Sequence, residues 1–538
     1  MKIKSIILLL FVCLNLHAQQ KFNTDSLIKD FRYFIEKLEQ THPDPYSKYG
    51  GRPMFRRSVD VTEMWMKHDS ISTKEQLASY INSFLVPLHD GHTTIANPNV
   101  NPSNNKEMLC APIKFKVFGD GLLVRAIDNS MNELVGSRLL EVEGIETDDL
   151  VIRIASKYPA ENKAGMYLNA SWHLRNKQTM AYCLEKELSD SLHITLLDTK
   201  YNKVHIALPF LTQDVLRAMK YENSESCLNL PRKNISFSFI GDDTKTMYFR
   251  TSTMNSKDNL EFEYKNGMST FANDLSYCYF VDKIKQPVDT EEAIAKLPSF
   301  SDEFGKMLLE MQKYESPNLI IDLRGNEGGW FPIAAPTLYQ MWGYDYLGKN
   351  MNTAQCVLIS PLYIEKLNTT LKDFNAANGS NYKFGDYAFI ESKDVTMNDN
   401  IAESIIMSNR IMSSSKDMLL KQKGEPVYTP KNVFVVTDAQ TFSAAFHYAF
   451  YLWKMGAKIV GISSSQAPNT YMAQTPLYLP TTNLFASISN TLQMFLPSDD
   501  PKAEILLPDY PMTEDLYRKY EYDSNAEIMY VLEELVEK

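Results

Sequence analysis

The sequence predicts an α/β protein fronted by a helical segment and a β-rich module, on three observations. Apolar side chains recur at helical spacing through residues 24–88, short strand-like runs crowd residues 110–210, and from about residue 240 short apolar runs alternate with helical patterns. The last pattern implies βαβ units around a largely parallel, covered sheet. A chain of 538 residues also exceeds what one hydrophobic core sustains, so several units are expected.

In the front segment, Leu27, Phe31, Phe34, Ile35 and Leu38 mark a helix over 24–40 that Pro43 ends. Met54 to His68 reads as helical. A further helix over 73–88 carries Leu77, Ile81, Phe84 and Leu88 on one face, with Ser72 and Glu75 at capping-box spacing. This unit, 20–96, runs into Asp90-Gly-His-Thr93, and the polar, turn-rich stretch Asn97–Asn105 reads as a loop. Within 108–210, strands are expected at Ile113–Val117, Leu122–Ala126, Ser137–Val142, His193–Leu197 and Val204–Leu208, with a helix from Asp148 to Ala155. From 235 to 538 the expected order is strand Met247–Arg250, helix 300–313, strand Leu319–Asp322, strand Val433–Val436, helix 443–455 and strand Lys458–Gly461.

Composition is that of an ordinary globular chain, 44% hydrophobic and 22% charged, with a net charge of −11. The absence of any basic stripe argues against nucleic acid as a partner. Residues 1–18 read as an export signal: Lys2 and Lys4, the apolar run Ile6–Leu16, then Leu16-His17-Ala18. The run is short for a membrane span, and no later segment reaches about 18 uninterrupted apolar residues, so no integral span is expected after cleavage. The expected location is periplasmic or extracellular, free or surface-attached; Val12 before Cys13 argues against lipidation. The five remaining cysteines, Cys110, Cys183, Cys227, Cys278 and Cys356, are scattered and do not form a disulfide framework.

Three motifs carry chemistry. Ser443 opens a helix after the strand Val433–Val436 and a tight polar stretch, which puts its hydroxyl at the positive end of the helix dipole. The amide of Ala444 is free of helical bonding there and can face an oxyanion. A helix cap is the plainer role for such a serine. Asp322-Leu-Arg-Gly-Asn-Glu-Gly-Gly329 places glycine backbone, Gly328 and Gly329, at the carboxyl end of a parallel strand, where ligands sit in such sheets. Asp322 and Arg324 are expected to brace that loop, which lacks the lysine and Ser/Thr of a phosphate loop. His92 is the candidate general base, with Asp90 a candidate orienter. The pair His89 and His92 lacks a third ligand at suitable spacing, so no metal is expected. His447, four residues after Ser443, is a rival base expected to pack inside its helix.

"IDLRGNEGG", "VTDAQTFSAAF…GAKIVG" and "LHDGHTTI" together resemble the tail-specific, C-terminal processing protease family, most closely its tricorn-core and retinoid-binding-protein branch. "THPDPYSK" at 41–48 and "LLPDYP" at 506–511 fit the same branch. The resemblance implies a ClpP/crotonase-like core and, with "GSRLLEVEGIETDDL", a PDZ-like module. It also implies Ser443 as nucleophile, His92 as histidine, and Gly328 or Gly329 with Ala444 as oxyanion backbone, with no cofactor. The substrate would be a peptide or unfolded protein; oligomerisation stays open. Two departures stand out. The loop Ser463–Asn469 has no lysine, which argues against a Ser–Lys dyad, and no acid follows Ser443 closely. Glu504, Asp499 and Asp500 remain unranked as the acid. The alternative is a catalytically silent peptide- or small-ligand-binding protein on the same fold.

Overall fold

The helical front half folds against the far end of the chain. In the computed structural model, which describes residues 21–536 apart from 97–107, 120, 220, 224–225, 242, 269, 391–392 and 409–415, the front helices are Thr24–Thr41, Arg52–His68 and Lys74–Leu85. The expected export signal and the loop Asn97–Asn105 lie outside the described residues. The third helix is capped by Thr73 with Gln76, one position beyond the expected Ser72 with Glu75, because Gln76 reaches back to the amides of Ser72 and Thr73. Phe31, Phe55 and Phe84 pack edge to face, each burial contributing about 1.5–3 kcal/mol. Their core is shared with Leu477, Leu484 and Ile488 of a long hairpin, Asn469–Tyr478 with Phe485–Met494. The unit 20–96 therefore does not close its core alone.

A short strand, Thr94–Ile95, continues that docking, pairing antiparallel with Ser487 and Ala486. This pairing delivers the Asp90–Thr93 turn to the C-terminal part of the chain.

The β-rich module has strands Ile113–Phe118, Gly121–Asp128, Arg138–Val142, Ser191–Leu197 and Lys203–Pro209, all antiparallel, with the helix Thr147–Ala155 where expected. Two further helices, Lys163–His173 and Lys177–Leu184, were not expected; Asn162 and Asn176 cap them. The core sheet runs in the order 236–240, 246–250, 318–322, 432–437, 458–461, 510–511. All its pairings beyond the edge hairpin 236–240/246–250 are parallel, as the buried apolar runs predict. Strand Asn318–Asp322 is buried at every position, and the helix Ala444–Lys454 follows strand Asn432–Thr437. The fold is thus α/β as expected, a largely parallel core sheet with a helical front unit and a β-rich module. All five described cysteines are free thiols, and only Cys227 is exposed. No helix among the described residues is long and apolar enough to cross a membrane.

Candidate active site

Strand Asn432–Thr437 ends at a turn tied down on every side. Asp438 Oδ1 accepts the amides of Gln440 and Thr441, and its carboxylate accepts the amide of Gly325 at 3.1 Å. Thr441 Oγ1 donates to Leu323 O at 3.0 Å, and the Phe442 amide donates to Asn326 O at 3.0 Å. The Ser443 amide donates to the side-chain oxygen of the buried Gln466. This cage holds Ser443 at φ 51°, ψ −124°, a conformation costly for a side-chain-bearing residue and characteristic of a nucleophile on a sharp strand-to-helix turn. Helix caps sit in the extended region and use their side chain; Ser443 does neither. Its hydroxyl is therefore not spent on the helix.

The Arg324–Gly329 loop lies against this turn. A Cβ on Gly328, whose φ is +104°, would stand 2.7 Å from Ser443 Cβ and 2.9 Å from the Ala444 nitrogen, so only glycine fits. The Gly328 amide is engaged by Asn326 Oδ1 at 2.9 Å, and its carbonyl accepts from Met254 at 2.8 Å. Among the described residues, the amides of Gly329 and Ala444 have no protein acceptor, which makes them the open donors beside Ser443. Asp322 and Arg324 brace the loop through bonds between themselves and to Tyr248, Arg250 and Glu527.

His92 reaches this place from the front unit. Its amide donates to Asp90 Oδ1 at 2.7 Å, and its carbonyl accepts from Gln474 Nε2 and Ser487 Oγ, both at 3.0 Å. Its imidazole stacks on the ring of Phe442, the residue before Ser443, with centroids 4.7 Å apart. His92 is buried, and among the described residues neither ring nitrogen has a hydrogen-bond partner.

The carboxylate closest to that ring is Glu161, whose Oε1 lies 3.6 Å from His92 Nδ1. It comes from the β-rich module, one residue before the helix cap Asn162. Its Oε1 accepts the Gly91 amide at 3.2 Å, while Oε2 accepts the Ala467 amide at 2.9 Å and Thr470 Oγ1 at 2.8 Å. Burial pushes the Glu161 carboxyl above its ordinary value, with His92 pulling the other way. Asp90 answers differently. Burial also pushes it up, but His42 and His92 outweigh that and bring it down to about 2. His42, from the "THPDPYSK" stretch, accepts the Asp44 amide on Nδ1 at 3.1 Å and turns Nε2 toward Asp90 Oδ2 at 3.3 Å.

Of the residues singled out in the sequence, Ser443, Ala444, Gly328, Gly329, His92 and Asp90 come together. Glu504 does not. It is exposed after the turn Pro501–Ala503, where Lys502 lies over Trp453, and that end of the helix is roughly 15 Å along the axis from Ser443. Asp499 and Asp500 lie in the same exposed stretch. His447 packs against the rings of Phe331 and Phe495, and burial drives it down to about 3, so it is neutral and enclosed. His89 is exposed, facing Ala160 O. Glu161 and His42 were missed: neither has a periodic or motif signal, although Asn162 as a helix start could have pointed to a loop at Glu161.

Residues 293–494 match the model of peptidase family S41. That range contains Gly328, Gly329, Ser443 and Ala444, whereas His92 and Glu161 precede it. No curated protein matches the chain. Among solved structures, the chain is similar to mature CPAF complexed with lactacystin, at 14% identity, a TM-score of 0.57, and coverage of 95% of this chain and 99% of that one. A crystal structure of mature CPAF gives 15% identity and a TM-score of 0.55, with 95% and 98% covered. At such identities the likeness is one of fold.

Proposed function

We propose, from the match of residues 293–494 to the model of peptidase family S41, a serine peptidase with Ser443 as nucleophile, His92 as general base and Glu161 as the carboxylate that orients the base. The single observation that carries this reading is the strained, unspent Ser443, held against Gly328 and one residue from the ring on which His92 stacks.

The chemistry follows from the placement. With Nδ1 turned to Glu161, the imidazole offers Nε2 to the Ser443 hydroxyl. As the proton moves to Nε2, Oγ bonds to the peptide carbonyl carbon, and the amides of Gly329 and Ala444 receive the oxyanion. The imidazolium then gives its proton to the leaving amine, and a water repeats the sequence to free the acid. The 3.6 Å between Nδ1 and Glu161 exceeds a hydrogen bond and is of the kind that tightens when substrate binds. The same reading keeps the export signal over residues 1–18 and places the peptidase outside the cytoplasm, acting on peptides or unfolded chains.

Fluorophosphonate labelling tests it. One equivalent should react with the wild-type protein and none with Ser443→Ala, and His92→Ala should slow labelling by about 10²–10⁴-fold. A folded wild-type protein that does not label after prolonged exposure would instead favour the silent binding protein, for which the open Nδ1–Glu161 gap is the structural argument.

A further inference from the structure

Among the described residues, both ring nitrogens of the buried His92 have no hydrogen-bond partner, and beside them Nε2 of His42 and Oδ2 of Asp90 have only each other, 3.3 Å apart. Each such atom costs about 1–3 kcal/mol when left unsatisfied, so their convergence marks a place built to receive something. His42 is the easiest to assign. Its Nδ1 accepts the Asp44 amide, so its proton sits on Nε2 and points at Asp90 Oδ2. His42 is thus a donor that positions Asp90, and it has no lone pair to offer a cation.

The other three residues do. One ligand atom from each of Asp90, His92 and Glu161 lies within 4.8 Å of the others, and all three side chains are buried. Both carboxylates are already aimed. Asp90 is fixed through Oδ1 by the His92 amide, and Glu161 is fixed through Oε2 by Ala467 and Thr470. Such outer bonds orient metal ligands. The set comprises one imidazole and two carboxylates, with two negative charges to balance a dication. Nitrogen and oxygen donors of this kind suit late first-row divalent ions, and three protein ligands with one open position is a common zinc arrangement. The sequence offered only His89 and His92 as a metal pair; the structure replaces His89 with a neighbour in sequence, Asp90, and a distant one, Glu161.

We propose that Asp90, His92 and Glu161 form an inhibitory site for Zn²⁺ or a similar late first-row divalent ion. Its inhibitory consequence rests on the peptidase reading above. A metal on Nδ1 takes the lone pair there, so the ring's remaining proton must reside on Nε2. That nitrogen can then no longer accept the Ser443 proton, and the base is silenced without the nucleophile being touched. Loss of the ion returns the acceptor.

Metal binding is measurable without turnover. Metal-free Ser443→Ala protein, titrated with Co²⁺ and followed by visible absorption, should take up one equivalent with the d–d bands of a low-coordinate site. Zn²⁺ followed by calorimetry should give the same stoichiometry. Asp90→Asn and Glu161→Gln, each introduced into that background and checked for folding by circular dichroism, should weaken affinity at least tenfold; His92→Ala should do the same if either of those fails to fold. Absence of the bands, or affinity unchanged in the folded variants, overturns the site and assigns the unpaired atoms to internal water. In the wild type, Zn²⁺ should suppress fluorophosphonate labelling with the binding midpoint, and chelation should restore it; full-rate labelling of the metal-bound protein overturns the inhibitory role. Wild-type protein that never labels, even after chelation, would sink the peptidase reading, while the Co²⁺ titration of Ser443→Ala would still decide the site.

Discussion

Two buried clusters of charge, one around Arg324 and one around His92, are finished to different degrees. In the first, Asp322 accepts from Tyr248, Arg250 and Arg324, and Arg324 bonds Glu527 at 2.6 Å. Glu527 in turn takes Lys116 of the β-rich module and the Tyr517 hydroxyl, both at 2.6 Å. Burial pushes both acids up, but the cations outweigh it: Lys116 and Arg324 hold Glu527 at about 2, and Arg324 with Arg250 hold Asp322 lower still. Among the described residues, no lysine or arginine reaches the second cluster. Two imidazoles face two carboxylates, both ring nitrogens of His92 stay without a hydrogen bond among the described residues, and Glu161 is raised where Glu527 is lowered. The difference separates two uses of buried charge. A cluster with matched cations and satisfied atoms joins module to core, whereas one with unspent valences keeps its groups available to a proton, a substrate or an ion.

Removing one member from each cluster should break the comparison most sharply. Arg324→Leu takes one of two cations from Asp322 and one of two from Glu527, and unfolding in urea should show a loss of about 3–5 kcal/mol; a loss below about 1 kcal/mol would mean the first cluster is not the brace described. Glu161→Gln should behave in the opposite way. It removes a carboxylate that burial already penalises, so stability should stay within about 1 kcal/mol of wild type or rise, while the fluorophosphonate rate falls roughly 10–10²-fold. Equal destabilisation by the two variants would erase the distinction. The smallest effect lies in the acid limb. The folded-state value of Glu527, about 2, lies below its ordinary value of 4.5, so its stabilisation is complete above about pH 4.5 and is lost as the pH falls toward 2. In Glu527→Gln the decline over that window should be shallower than in wild type, although the variant starts lower at pH 7; a slope identical to wild type would place the acid sensitivity elsewhere.

The elements that were legible are local ones, and many others, the hairpin 469–494 among them, were not. The periodicity of Leu27 to Leu38 and the buried run Leu319–Asp322 each state their own structure, and the glycines at 328 and 329 announced a backbone that needs room. The helices Lys163–His173 and Lys177–Leu184 were not legible, since their buried faces mix Ala, Gly, Ser and Thr with few large apolar groups. Glu161 was invisible for a related reason. Its partners, Gly91, Ala467 and Thr470, belong to other parts of the chain, and nothing near it in sequence distinguishes it from a solvated loop acid. Glu504 erred the other way: near the expected position along the chain, yet on an exposed turn at the wrong end of the Ser443 helix.

By itself the sequence determined the types of the elements it marked, the parallel core and the strand-turn-helix setting of Ser443, because each is decided by side-chain period and backbone freedom over a few residues. Which carboxylate faces His92, and whether its ring nitrogens are spent or free, was decided only by tertiary structure. The reason is that the docking of the front helices on the 469–494 hairpin and of the Glu161 loop on Ala467 and Thr470 sets those distances to within an ångström, and no local pattern encodes a distance between segments so far apart.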